Sequence, residues 1–437
     1  MEEEQKAPTA GVAPEMPTAG AAPETPAAGA APEIPTSEAA PEIPTAGAAS
    51  EIPMAGAAPV VSVVPASTEP TAELLRRYRR DLHQIPELDD DLPETIAYVR
   101  AVLEALPCDK TVFSPATSTV CCFFDRGTSH ATAVRSDMDA LPVTERTGRA
   151  FASRHAGCMH ACGHDGHMAM VLGLAQHVAR HLDELPRSLL LVFQPAEETT
   201  GGAKRVCESG VFERLGVDRI YGFHLWPELP YGTVASRPGA LLAASNETTV
   251  TIEGTASHIA RAELGHDALE AGARFLLDAY TLVEEARREE SCVLKFGRME
   301  AGSVRNQIAD RARLEGSLRT FSVEMGDRLR TELPALAERD AAALGCTARV
   351  HFSEGYPPVT NDAALYDLVR EAVPELQTLD APLMIAEDFA WYQRWLPGVF
   401  LLLGTGGDAP LHSDRFDFDE DVLMRGLAVY ESLVRLP

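Results

Sequence analysis

The stretch GCMHACGHDGHM, Gly157 to Met168, places Cys158, Cys162, His160, His164 and His167 within twelve residues. Thiolates and imidazoles are donors for zinc and related divalent ions, so this crowding points to a metal site, or else to redox or structural residues. Cys162 and His164 are separated only by Gly163. In an extended or looped backbone, residues two apart point the same way, so both can reach one ion. A lone Cys-x-His pair is a weak signal, and adjacent glutamates usually mark a solvated turn. Glu197 and Glu198, however, follow an apolar run and a proline in SLLLVFQPAEE, a position that solubility does not explain. Cys158 and His160 read as neighbours of the site. His167, His177 and His181 read as structural or solvated residues of a helix.

Elements must bring these groups together. ATAV leads into Asp137 and Asp139, SLLLVFQPA into Glu197 and Glu198, and IYGF into His224. In open α/β sheets ligands bind beyond the carboxyl ends of strands, so three such runs predict one shared site. A helix is expected to start at about Gly166, with Asp165 as its N-cap and Met168, Val171, Leu172 and Ala175 on its buried face.

From Thr71 onward, apolar runs alternate with amphipathic stretches, which predicts an α/β fold with a central mixed sheet flanked by helices. The texture changes near Asn246. NETTVTIEG alternates like a half-exposed strand, DALEAGARFLLDAYTLVEEARREE is a long amphipathic helix, and the order continues to give βαββαβ, a ferredoxin-like unit. The expected organisation is a repeat arm over 1–70, a catalytic domain over 71–243 and 357–437, and an inserted domain over 244–356. Within the arm, units such as APEMPTAGA and APEIPTAGA recur with a nine-residue period. Their prolines and small side chains offer too little apolar surface for a core, so a disordered or polyproline-like arm is expected.

The chain of 437 residues carries 38 Lys and Arg against 65 Asp and Glu, a formal charge of −27. That balance argues against nucleic acid or an anionic membrane as main partner. No apolar run reaches bilayer-spanning length. MEEEQKAPTAG lacks the basic-then-apolar order of a secretory signal, so the cytoplasm is the expected compartment. Eight cysteines in this length do not read as a disulfide framework, and Cys121 and Cys122 in STVCCFF are expected as buried thiols.

The motifs RRDLHQIPEL, RSDMDALPV, MHACGHDGHM, VFQPAEETTGGAK, GFHLWPELPYGTV, EDFAWY and LHSDRFDFDED resemble the M20 metallopeptidase family. The likeness is to its amidohydrolase branch of N-acyl-amino-acid, hippurate and auxin-conjugate hydrolases, and it extends from Thr71 to the C-terminus. The resemblance implies Cys162, His164, Glu198, His224 and His412 as metal ligands, with two divalent ions per subunit, commonly manganese, zinc or cobalt. It implies Glu197 as general base and acid, and Asp139 and Asp165 as carboxylates that orient the ligands. Related branches carry histidine where Asp137 stands; with Cys162 making up that ligand, Asp137 is left as a minor candidate.

By the same resemblance the inserted domain is a lid and homodimerisation domain. His258 polarises the scissile carbonyl, often across the dimer interface, and Asn306 and Arg319 bind the substrate carboxylate. One departure is Ala262-Glu263, where the family has a Pro-His pair. The expected activity is metal-dependent hydrolysis of the amide bond of N-acyl amino acids or related small amides. A dipeptidase or carboxypeptidase would use the same site. A non-catalytic binder keeping the fold would be expected to have lost a ligand or the base, and none is missing.

Overall fold

The computed structural model describes residues 71–437. The expected repeat arm, 1–70, lies outside the described residues. At the centre is an eight-stranded mixed sheet. Its middle four strands, Ser188–Gln194, Ala131–Asp137, Val217–Trp226 and Gly398–Gly404, lie side by side in that order and all run parallel. Every residue of Ala131–Asp137, Ser188–Gln194 and Gly398–Gly404 is buried, as a parallel sheet covered on both faces requires. Val120–Phe124 adds antiparallel on one side, with Thr111–Phe113 at the edge. Val234–Ser236 adds antiparallel on the other, followed by Gln377–Thr378. Cys121 and Cys122 are buried in the sheet as expected, and all eight cysteines are free thiols.

The helices Thr71–His83, Pro93–Glu104, His164–His181, Ala363–Ala372 and Val422–Leu433 share one core on one face of the sheet. Gly202–Glu208, Val211–Leu215 and the 3-10 turn Asp388–Arg394 contribute to a second core. The run GAKRVCESGVFERL forms two short helices because Gly210 between them takes a left-handed φ of 68°.

Register fixes where the loops leave. Asp137 pairs with Gln194, and Trp226 with Gly404, so the parallel strands end close together on one edge.

A second, four-stranded antiparallel sheet has the order Thr347–Phe352, Asn246–Glu253, Arg311–Arg319, Val293–Ala301. The helices Ala268–Ala286 and Val323–Ala342 pack on it around Phe275, Leu314, Leu329 and Leu333. Burial alternates along Asn246–Glu253, the mark of a sheet covered on one face. The chain passes between the two sheets through a paired neck. Ser245 N–H donates to the Tyr356 carbonyl at 3.0 Å and Tyr356 N–H to the Ser245 carbonyl at 2.9 Å. Gly355, at φ 59°, permits this approach, since a Cβ there would fall 1.7 Å from the Ser245 oxygen.

Candidate metal centre and active site

The strand Ser188–Gln194 hands over to a tight turn. Ala196 is left-handed at φ 57°, and the Gly201 N–H closes back on the Ala196 carbonyl at 2.9 Å. Asp139 grips this turn with both oxygens, accepting from Glu197 N–H at 2.9 Å and from Glu198 N–H at 3.1 Å. The Tyr356 hydroxyl donates to the Glu197 carbonyl at 2.6 Å. The two acids diverge. Glu198 Oε1 lies 3.3 Å from His412 Nε2 and 3.9 Å from His164 Nε2. Glu197 Oε1 instead faces the Asp388 N–H at 3.4 Å and groups with the Glu387 and Asp388 carboxylates.

Gly163, left-handed at φ 87°, is the N-cap of the helix His164–His181. This corrects the expected start and the expected cap. Asp165 lies inside the first turn, fully buried, and accepts from His83 Nδ1 at 2.7 Å and Arg79 Nε at 3.2 Å. Among the described residues no hydrogen bond joins it to Cys162 or His164. A carboxylate with a buried guanidinium and imidazole at hand gains more from those charges than from a backbone amide.

His164 Nδ1–H donates to the Asp139 carbonyl at 2.7 Å, and His224 Nδ1–H to the Leu225 carbonyl at 2.6 Å. Each ring is thereby oriented with Nε2 turned inward, the tautomer a metal-binding imidazole needs. His224 Nε2 is 3.3 Å from Cys162 Sγ. Past the strand Gly398–Gly404, His412 is held at φ 66° by its N–H on the Ala161 carbonyl at 2.8 Å. Three overlapping groups result, Cys162–His164–His224, Cys162–Glu198–His412 and His164–Glu197–Glu198, with donor atoms in each within 4.8 Å of one another. The five predicted ligands thus meet at one place. The donor set fits a pair of divalent ions: His164 Nε2 and Glu198 Oε1 are buried without a hydrogen-bond partner, a costly arrangement unless a cation meets them.

Electrostatics agree with that fit. Burial, then Glu198 and Glu197, pushes the Cys162 thiol well up, which a bound cation would reverse. Burial, then Glu387 and Glu198, also raises Glu197 well above the usual carboxyl range. Burial raises Asp139 to about 7 and Glu387 to about 8. Burial and the neighbouring carboxylates of Asp388, Glu197, Glu387 and Asp139 keep the Tyr356 phenol protonated and a donor.

His167, expected as structural, is buried beside the cluster. Its Nε2 accepts from Leu225 N–H at 2.9 Å, so Nδ1–H donates to Asp137 Oδ1 at 2.7 Å. Burial alone would raise Asp137, but His164, His167 and Arg135 outweigh it and hold the group well below the usual range.

A cavity of about 700 Å³ opens over the cluster, lined by Cys162, Glu197, Glu198, His224, His412, Arg319, Tyr356 and Trp391 among others. Arg319 therefore reaches the site. His258 and Asn306 do not line it: both are exposed, His258 Nδ1 accepts from Ala260 N–H at 3.1 Å, and the Asn306 carbonyl accepts from Ile259 N–H at 3.0 Å. Sequence reasoning missed Tyr356 and the buried Arg135, whose guanidinium meets Asp137 at 2.7 Å, Glu387 at 2.9 Å and Asp388 at 2.7 Å. An arginine within the apolar run ATAVRSD was the available signal, since such a group must find carboxylates when buried.

Residues 133–436 match the family model described as peptidase family M20/M25/M40. The chain belongs to this family. Among M20 relatives, the N-acetyl-L-cysteine deacetylase of Bacillus subtilis (strain 168) is 36% identical over 363 residues, covering 82% of this chain and 87% of its own. The N-acetyldiaminopimelate deacetylase of Lacticaseibacillus casei (strain BL23) is 36% identical over 361 residues, covering 80% and 94%. A solved Bacillus subtilis structure, described as a dinuclear metal binding peptidase from the M20 family, superposes with TM-score 0.74 at 32% identity, covering 83% of this chain and 97% of its own. The family expected from the motifs is therefore the family found.

Proposed function

We propose that this M20 member is a metal-dependent amidohydrolase that cleaves the amide bond of N-acyl amino acids, N-acetyl amino acids foremost. The observation that carries this reading is the meeting of five donor side chains, two of them with buried atoms that lack a hydrogen-bond partner, beside the Glu197 carboxyl group, whose Oε1 faces the Asp388 N–H. Cys162, His164, Glu198, His224 and His412 would hold two divalent ions, with manganese, zinc and cobalt all compatible with the donor set. Bound there, the ions would supply a water of lowered pKa and a Lewis acid for the carbonyl. Glu197 takes the proton from the attacking water and delivers it to the departing amine. Asp139 sets the direction of both acids and of the His164 ring. Asp165 supports the same helix end through Arg79 and His83.

Arg319 reads as the substrate-carboxylate binder, since it lines the cavity. The four-stranded unit, residues 244–356, reads as a ferredoxin-like lid and dimerisation domain inserted between the two parts of the catalytic domain. In that arrangement His258 and Asn306 serve the site across a homodimer interface, which accounts for their distance from the cavity of their own chain. The cytoplasm is the proposed location, supported by the free thiols. Among the described residues no helix is long and apolar enough to cross a membrane.

The test is hydrolysis of a panel of N-acetyl and N-benzoyl amino acids by the full chain loaded with Mn²⁺, Zn²⁺ or Co²⁺. Release of the free amino acid is expected, and its absence across the panel with every metal overturns the reading.

A further inference from the structure

Three side-chain contacts hold the backbone of Glu197 and Glu198, and they come from two places. Asp139 binds both amides from the edge of the eight-stranded sheet. The third contact, Tyr356 Oη to the Glu197 carbonyl at 2.6 Å, comes from the neck that leads out of the four-stranded sheet. Tyr356 is itself fixed there by its reciprocal backbone pairing with Ser245. Its ring also lies against the far end of the same turn, since a Cβ built on Gly201 would stand 2.8 Å from Tyr356 Cε1.

We propose that Tyr356 is a positioning residue that ties the direction of the Glu197 and Glu198 carboxylates to the neck between the two sheets. The physical reason lies in the peptide joining the two acids. Its N–H is held by Asp139 and its carbonyl by Tyr356, so both ends of one peptide plane are fixed. With the carbonyl released, the plane is free to rock about the two Asp139 bonds. Ala196, left-handed at φ 57°, holds a strained conformation that persists only while its surroundings fix it. Rocking swings the two side chains together, and their different tasks depend on their divergence. A reorientation of this kind at a proton-transfer group costs rate far more than binding.

The inference rests on the amidohydrolase reading for its kinetic arm alone. Tyr356→Phe keeps the ring against Gly201 and removes only the hydroxyl. Expected are a kcat lower by about 10- to 100-fold, KM and bound metal within about twofold of wild type, and little change in melting temperature. Hydrogen exchange by mass spectrometry is expected to show the amides of 197–201 exchanging at least about tenfold faster, because their bonds lose a shared brace. Tyr356→Leu, which also removes the ring, is expected to match Tyr356→Phe in kcat while melting lower.

A Tyr356→Phe enzyme within twofold of wild-type kcat overturns the proposal, as does a kcat loss that only follows loss of metal. Unchanged exchange over 197–201 overturns it without any substrate. A wild type that hydrolyses nothing sinks the amidohydrolase reading instead, and the exchange comparison still decides the role of Tyr356.

Discussion

Two groups of histidine and acid lie side by side at the sheet edge and share His164: Asp137–His164–His167, and Cys162–His164–His224 with Glu198 beside it. Both bring donor atoms within 4.8 Å of one another, and both are buried. They differ in what their atoms have left to bind. In the first, His167 is engaged at both nitrogens, by Leu225 N–H and by Asp137, and Arg135 holds the other Asp137 oxygen. In the second, His164 Nε2 and Glu198 Oε1 are left without a hydrogen-bond partner. Proximity alone therefore does not mark a metal site; proximity combined with unengaged donor atoms does.

Four substitutions break or sharpen that contrast. The largest effect belongs to Glu197→Gln, which removes the proton carrier and leaves the proposed ligands in place. Its kcat should fall by about 10²–10⁴-fold, as loss of a general base does, with metal content by atomic emission unchanged. His167→Ala acts on the engaged group. It strips Asp137 and the Leu225 amide of a buried partner, and should cost about 3 kcal/mol in urea unfolding whether or not a chelator is present. His224→Ala acts beside the unengaged atoms of His164 and Glu198, and it should show a dependence on metal that His167→Ala lacks. Metal affinity by competition titration should drop by at least about 10-fold, and the loss of stability should be larger with metal bound than with a chelator present. If the two histidine variants gave the same pattern, the contrast would be void.

The smallest effect concerns the network behind the helix. Burial alone would lower His83, but Asp165 and Glu145 outweigh it and raise the group to about 9. A raised folded-state value means that His83 stabilises fully below its unfolded pKa of about 6.5, and that this contribution fades as pH rises through about 9. Wild type should exceed His83→Gln by on the order of 1–2 kcal/mol at pH 6, and the gap should narrow by pH 9.5 in parallel urea titrations.

The large sheet, Asp139, Glu197, Glu198 and His224 were legible because these residues follow apolar runs, and strand ends are positions that pattern can locate. Cys162 and His164 stood out by their spacing, and His412 by likeness to the family motifs alone. The order of elements in the four-stranded unit was legible for a similar reason, its alternating burial. Asp165 was misread. Whether a first-turn carboxylate caps its helix or turns inward depends on Arg79 and His83, which stand on another helix 86 and 82 residues away. The Arg135–Asp388 pair spans 253 residues and the Tyr356–Glu197 contact 159, separations across which a single sequence carries no periodic signal. His258 and Asn306 were drawn from motif likeness. Both are exposed, and their segments pair with each other through the Ile259 N–H on the Asn306 carbonyl, so no apolar pattern surrounds either residue.

The mutual pairing of Ser245 and Tyr356 also bears on how such a molecule can change over time. The chain leaves for the four-stranded unit at Ser245 and comes back at Tyr356, virtually the same point. Whatever lies between can therefore lengthen, shrink or be exchanged for another module without shifting any strand of the main sheet. The scaffold has a docking port whose two wires emerge from one socket.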